Sequence, residues 1–505
     1  MKRLFMLSLW SGFLVFFFLL TFIGCAPRKG TLSQTDFERE RREMRAAWWP
    51  TVWRDDYKEK SAVQLKQFFV QRIDRLHQIG INTVVFQVRS EADAFYASKY
   101  EPWSRFLTGV QGVSPEGVFD PLPFIIEECH KRGMELHAWI NPFRASVNVT
   151  NPTSPEHVSR RYPKWIVEYN GQSYLDPGLP EVRSYVCRVV QDIVLRYDVD
   201  ALHIDDYFYP YPVAGIPFND NQSFEKYGLP KGFSWTKKGD WRRDNINRFI
   251  VQLRETLQTT KPWVALGISP FGIYRNSKNW IGGSKTSGLE GYEALYADVV
   301  LWAKEGWIDY LTPQIYWNYG HPSADYQVLL DWWGAQKLGK TMLYVGQDIR
   351  RSMDSQQLPS KITHQRRVAR GDFFWPADDL WANYGGIVPQ LSKIYAGRRV
   401  ATPIRQEFRK TTSKKVTDLR YALGGGSSPF LEWEDTYQEG DPLSPRFYLV
   451  YALPNGKKSD FPHKAQLLSI SSQPFYQIPY QPIYKGFAVT ALNHFGVESK
   501  PSFLF

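Results

Sequence analysis

Ala201-Leu202-His203-Ile204-Asp205-Asp206-Tyr207-Phe208-Tyr209-Pro210 is a short apolar run that stops at two acids and a proline-closed aromatic turn. An apolar run of this length between turn signals fits a strand buried on both faces, as the strands of a parallel sheet are. Its flanks agree. Upstream, Val182, Tyr185, Val186, Val189, Val190 and Ile193 recur at helical spacing, and downstream Ile246, Phe249, Ile250, Leu253 and Leu257 do the same. A buried strand between two amphipathic helices is one turn of a repeating β-α rhythm.

The same rhythm extends in both directions. Strands are expected at 45–53, 83–90, 135–143, 201–207, 264–272, 308–317, 342–346 and 372–375, with helical patterns between them. The first helix has a capping residue in Ser61, an apolar stripe through Val63, Phe68, Phe69, Ile73, Leu76 and Ile79, and a stop at Gly80. Eight such units over residues 44–400 predict an α/β fold of the (β/α)8 TIM-barrel type. No glycine-rich phosphate loop follows the first strand, which argues against an open dinucleotide-binding sheet. From about residue 411 helical periodicity gives way to short strands at 431–433, 447–452, 465–469 and 487–492. They are separated by Gly424-Gly425-Gly426 and Pro454-Asn455-Gly456, so residues 411–505 read as a small all-β sandwich.

Composition limits the function classes. Of 505 residues 43% are apolar and 16% aromatic, including 19 Trp and 29 Tyr, an excess of flat amphipathic rings suited to stacking on sugars or filling interfaces. Three cysteines exclude a disulfide-built scaffold, and Cys129 and Cys187, both in helical patterns, are expected as buried free thiols. At the amino end Lys2 and Arg3, an apolar run over 4–23 and Gly24-Cys25 read as a signal peptide over residues 1–24 with a lipobox. Cys25 then becomes a lipidated terminus and residues 25–43 a tether; the alternative, an uncleaved membrane anchor, also places the rest of the chain outside the cytoplasm. Ala26-Pro27-Arg28-Lys29 carries no acidic export run, which favours the periplasmic face of the outer membrane. Removal of residues 1–24 lowers the formal net charge from +11 to +9. A basic exported protein is drawn to anionic wall or lipid surfaces, and nucleic acid is not an expected partner.

In a barrel the chemistry collects at the carboxyl ends of the strands. Asp205-Asp206 stands out there, because two charges at the tip of a buried strand are costly unless paired, solvated in a cleft or used. One of them pairing with Arg89 or Arg144 is the structural alternative. By strand alternation Asp205 shares the barrel-mouth side with His203, unless the strand ends at the pair. Glu91, Asp93 and Asp348 are candidate partner acids, with Glu91 and Asp93 set beside the Asp pair as catalytic candidates. Arg89 and Arg144 suit a carboxylate on the ligand, Asn141 and Gln314 suit hydroxyls, and Trp48, Trp49, Tyr207, Tyr316 and Trp317 offer stacking faces. No cofactor or metal is expected: His203 and the Asp pair would suggest a deacetylase-type metal site only with further histidines, and no His-x-x-x-His pair accompanies His130 or His137.

Arg45-Ala46-Ala47-Trp48-Trp49, Gln87-Val88-Arg89 with Asp93, Trp139-Ile140-Asn141-Pro142 and above all His203–Pro210 resemble the glycosyl hydrolase-like family ten lipoproteins, over about residues 44–350. Ala92 stands where relatives tend to carry Gly. The resemblance implies an exported barrel similar to divisome-associated glycosidases, cleaving peptidoglycan, with cell-division proteins among its partners. Tyr448–Tyr451, Ala488–Leu492 and Gly496–Ser499 resemble a fibronectin type III module. The adjacent acids resemble those of substrate-assisted hexosaminidases, where one orients the N-acetyl group and the other protonates the leaving oxygen. A non-catalytic glycan-binding scaffold is the competing function, since a fold does not guarantee turnover.

Overall fold

The computed structural model describes residues 41–423, 429–479 and 484–505. The expected signal peptide, Cys25 and nearly all of the expected tether lie outside the described residues. Among the described residues no helix is long and apolar enough to cross a membrane.

Eight parallel strands form the barrel: β1 (Met44–Trp49), β2 (Thr83–Arg89), β3 (Glu135–Ile140), β4 (Ala201–Ile204), β5 (Ala265–Ile268), β6 (Tyr310–Leu311), β7 (Met342–Leu343 and Val345–Asp348) and β8 (Gly371–Trp375). β7 closes the ring. Its first half pairs with β6 and its second half with β8, with Tyr344 between the halves. The other pairings run in chain order from β1 to β6, and β8 pairs with β1. Helices follow the strands: α1 (Ala62–Ile79), α2 (Pro121–Lys131), α3 (Pro180–Arg196), α4 (Lys238–Thr260), α5 (Val299–Lys304), α6 (Tyr326–Gly334), α7 (Leu358–Val368) and α8 (Ile387–Tyr395). α1 starts at the capping box of Ser61 and Gln64 and ends at Gly80, whose φ of 98° is left-handed.

Alternation along each strand sorts the side chains. Ala46 and Trp48 of β1 point into the barrel with Val85, Trp139, Tyr310 and Phe373, whereas Ala47 and Trp49 face the helices. Gly267 is required beside Tyr310, because a Cβ there would lie 1.8 Å from the tyrosine ring. The interior is a packed core with a polar thread. Tyr310 Oη sits 2.9 Å from His203 Nδ1 and 2.8 Å from His137 Nδ1, and His137 Nε2 sits 3.1 Å from Glu135.

The C-terminal residues form a three-stranded antiparallel sheet (Arg420–Leu423, Pro429–Glu432, Phe475–Gln477) and a four-stranded one (Gln466–Ser471, Pro445–Ala452, Phe487–Asn493, Ser502–Leu504). Leu431, Trp433, Tyr448, Val450 and Val489 fill the space between them. The four-stranded sheet is covered on its other face as well: Phe447, Leu449, Tyr451 and Leu492 form a second core that includes Ala401. Arg446 leaves this sheet to bind Asp200 and Asp198, on the turn before β4 at the amino end of the barrel. Cys129 and Cys187 are free and buried.

Candidate active site

β4 ends at Ile204, so Asp205 and Asp206 both lie past the regular strand and both reach the floor of a cleft of about 230 Å³. Alternation therefore does not force one of them away. Trp48, Gln87, Trp139, Ser269 and Gln314, from five other strand ends, complete the floor, and Trp375 closes one side. Arg144, Tyr207, Tyr211, Tyr316 and Trp53 form the walls and rim.

The two acids have different surroundings. Asp205 Oδ2 accepts from Asn141 Nδ2 at 2.6 Å and from Trp139 Nε1 at 3.2 Å, and Oδ1 accepts from the Tyr207 N–H at 3.4 Å. Asn141 is itself held by Gln87 Nε2 at 2.7 Å and Arg144 Nη2 at 2.8 Å, both donating to its Oδ1. Burial raises the Asp205 carboxyl while Arg144 and these donors oppose the rise. Asp206 receives the Tyr211 hydroxyl on Oδ2. Burial first, and then the neighbouring Asp205, push its carboxyl up to about 7. Two like charges share one buried floor, so a proton is retained near neutrality, and the donors around Asp205 place it on Asp206.

Beneath the floor, Trp48 Nε1 donates to His203 Nε2 at 3.0 Å, and the Ser269 hydroxyl lies 2.9 Å from the same nitrogen. An indole N–H only donates, so Nε2 is an acceptor and the ring proton sits on Nδ1 toward Tyr310. Burial, with His137 adding to it, holds His203 neutral. This differs from the expectation that His203 faces the ligand: it is fully buried below the floor and supports Trp48 and Ser269.

Several expected site residues lie elsewhere. Trp49 is on the helix side of β1, its indole donating to Tyr57 Oη at 2.7 Å, because adjacent strand residues face opposite ways. Arg89 follows a register shift in β2 and turns into a fully buried pair with Glu101 at 2.8 Å. Glu91 is consumed by Arg105 at 3.1 Å and the Val147 N–H at 2.6 Å, and Asp93 by Ser90, Gln111 and the Glu91 N–H. These two acids shape the loop after β2, where Ala92 adopts φ 52°, a conformation that suits glycine. Trp317 packs against Phe271 outside the cleft lining, and Asp348 caps the helix that begins at Ile349 through the Arg351 N–H at 2.8 Å. Asn141 touches Asp205 rather than the open space. Arg144, Tyr207, Tyr316, Gln314 and Trp48 do line the cleft.

Sequence reasoning did not select Trp53, Gln87, Trp139, Tyr211, Ser269 or Trp375. Three of them had a signal: Trp139 alternates with His137 on β3, Gln87 with Val85 on β2, and Tyr211 directly follows the quoted strand-four motif. Trp53 is 61% exposed at the rim with Arg144 over its ring at 5.7 Å.

The description "glycosyl hydrolase-like 10" belongs to the family model that matches residues 43–362. Glycosyl hydrolase YngK of Bacillus subtilis (strain 168) is 35% identical over 508 residues, covering 97% of each chain. Glycosyl hydrolase DigH of Escherichia coli (strain K12) is 37% identical over 341 residues, 63% of this chain and 76% of the relative. Among solved structures, the PgaB (BpsB) glycoside hydrolase domain from Bordetella bronchiseptica aligns with 70% of this chain and 98% of its own, at 13% identity and a TM-score of 0.48.

Proposed function

The chain belongs to the glycosyl hydrolase-like 10 family, and on that premise we propose that it hydrolyses N-acetylated cell-wall glycan, peptidoglycan strands in particular, with Asp206 as general acid. The observation that carries this reading is the pair of acids on one cleft floor, one surrounded by donors and the other keeping its proton near neutrality. Opposed environments for two neighbouring carboxyls are how one site supplies both an acid and an anion. Asp206 gives its proton to the glycosidic oxygen as the bond to the anomeric carbon breaks. The acetamido carbonyl oxygen of the same sugar closes onto that carbon, and the Asp205 carboxylate accepts the acetamide N–H and steadies the cation. Water then opens the ring, returning the proton to Asp206. Arg144 suits a lactyl or peptide carboxylate, and Trp53, Tyr207 and Tyr316 offer ring faces.

The N-terminal signal, the lipid on Cys25 and a periplasm-facing outer-membrane location belong to the same proposal, as do cell-division partners. A fibronectin type III-like role for residues 411–505 is supported by the three-plus-four strand arrangement of the two sheets. The decisive test is incubation of the purified protein with wall glycan, with and without stem peptides. New reducing ends should appear, and both Asp205→Asn and Asp206→Asn should abolish them. Cleavage that survives both substitutions would remove the mechanism.

Two further outcomes are expected. The kcat/KM profile should fall as pH rises through about 7, where Asp206 loses its proton. Tyr211 donates to Asp206 and lowers its proton affinity, so Tyr211→Phe should move that limb to higher pH; an unmoved limb assigns it to another group. Trp53→Ala removes an exposed stacking face and should weaken glycan binding about three- to tenfold. The thermal midpoint should stay unchanged, as is usual for an exposed side chain. Titration of glycan into the Asp206→Asn protein measures this without turnover.

A further inference from the structure

The end of the barrel opposite the cleft holds a larger hollow, about 420 Å³, between the start of β1, α7 and the end of α8. Five guanidinium groups line it: Arg42, Arg45, Arg366, Arg370 and Arg398. Its carboxylate, Glu43, is occupied by Arg366 at 2.6 Å and Arg45 at 2.7 Å. Arg42 faces Glu498 at 3.7 Å and donates to the Thr402 and Gly496 carbonyls, and guanidiniums still outnumber carboxylates on the wall. Arg45 is further fixed over the Tyr395 ring at 3.7 Å, with its Nη1 on the Arg398 carbonyl at 2.9 Å.

A second observation points to a ligand. Gln365 on α7 is fully buried, lines this hollow, and has neither Nε2 nor Oε1 hydrogen-bonded. The Tyr395 hydroxyl, also on the wall and 3% exposed, has no partner either. A buried amide with both ends unpaired is costly, and native proteins rarely leave one without a use. Here an unpaired buried amide and an unpaired hydroxyl stand on a wall shared with guanidiniums, and the side chain of Arg398 makes no hydrogen bond or ion pair with a described residue.

We infer that this hollow is a binding site for a phosphate ester that carries free hydroxyls, of the glycerol-phosphate kind. The arginines take the phosphate oxygens in forked, charge-assisted pairs. Gln365 and Tyr395 take the hydroxyls. A volume of this size holds such a molecule with room for water. The same chemistry is offered by a phosphatidylglycerol headgroup, by a glycerol-phosphate polymer and by the free ester. The site is independent of the glycan cleft, which lies a full strand length away along β1, roughly 15–20 Å.

The test uses the full-length protein and calorimetric titration with inorganic phosphate and with sn-glycerol 3-phosphate. Both should bind saturably, the ester at least tenfold more tightly, and both should weaken as salt rises. Arg398→Ala should lower affinity for both at least fivefold. Gln365→Met should lower affinity for the ester alone. Because it deletes an unpaired buried amide, it should leave the thermal midpoint equal or higher, which a merely structural role for Gln365 would not do. Neither change should alter glycan cleavage. Flotation with phosphatidylglycerol and phosphatidylcholine vesicles separates the sources. Phosphatidylglycerol binding that soluble ester displaces and Arg398→Ala weakens identifies a lipid headgroup. Ester binding that vesicles do not compete with identifies a free ester or polymer, and supports the site equally. Absence of saturable phosphate, ester and vesicle binding, or equal binding by wild type and both variants, overturns it.

Discussion

Asp206→Asn is expected to reduce glycan turnover by about 10²- to 10⁴-fold, the range lost with a general acid, while glycan still binds. The substitution keeps the shape and the Tyr211 contact and removes only the proton that the leaving oxygen needs. Its effect on stability runs the other way, and the sign follows from linkage. The folded-state pKa of about 7 lies above the ordinary carboxylate value near ~3.9, so Asp206 favours the folded state fully below the ordinary value. That contribution is lost as pH rises through about 7, where an anion is forced beside Asp205. An asparagine carries no such charge, so Asp206→Asn should raise the denaturation midpoint at pH 8 relative to wild type and leave little difference at pH 5. A variant that is inactive and also less stable at pH 8 would mean that Asp206 is a structural anion, and the catalytic assignment would go to another group. Asp205→Asn should match the loss of turnover, because the anion that steadies the cation is then absent.

The barrel was legible because its signals are periodic and repeated. Each apolar run between amphipathic helices could become only a buried parallel strand, and β7 had to serve two neighbours for the ring to close. The Asp pair was legible for a local reason, since charge at the tip of an apolar run has few cheap destinations. The acids after β2 carried the same signal in sequence but a different destination in space. Glu91 meets Arg105 and the Val147 N–H, and Asp93 meets Gln111, contacts made by segments 14 to 56 residues away that no local pattern announces. Trp48 and Trp49 show the finer limit. The sequence presents two equivalent rings, and strand alternation sends one to the cleft and the other to the helix layer; choosing between them requires the register, which β1 takes from both β2 and β8. Arg89 fails for a related reason, because the register shift after Gln87 turns it from the mouth into the Glu101 pair.

Arg446→Ala is expected to cost about 3 kcal/mol or more of stability, the lower end of what breaking a buried ion pair costs, although the residue is far from the cleft. Arg446 is 6% exposed and donates to Asp200 Oδ1 at 2.7 and 3.0 Å and to the Asp198 carbonyl at 2.9 Å. Burial alone would raise the Asp200 carboxyl, yet Arg446 and then His130 outweigh it and hold it well below the usual range. Alanine would leave that carboxylate buried with half its partners gone. Adding Asp200→Asn should restore part of the loss, since the charge left unpaired is then absent, and the cycle of four proteins in urea measures the coupling. A depressed pKa also fixes the pH window: the contribution is complete above the unfolded value near ~4 and disappears as pH falls through the folded one, so the difference between wild type and Arg446→Ala should shrink in acid. Ser472 N–H to the His130 carbonyl at 3.0 Å and Ser471 Oγ to the Lys131 carbonyl at 2.8 Å brace the same contact. The four-stranded sheet thus packs against part of the barrel's amino end, away from the mouth, so kcat at temperatures below the transition should be the same in Arg446→Ala and wild type. A lowered kcat with unchanged stability would instead place the C-terminal sheets in the substrate path.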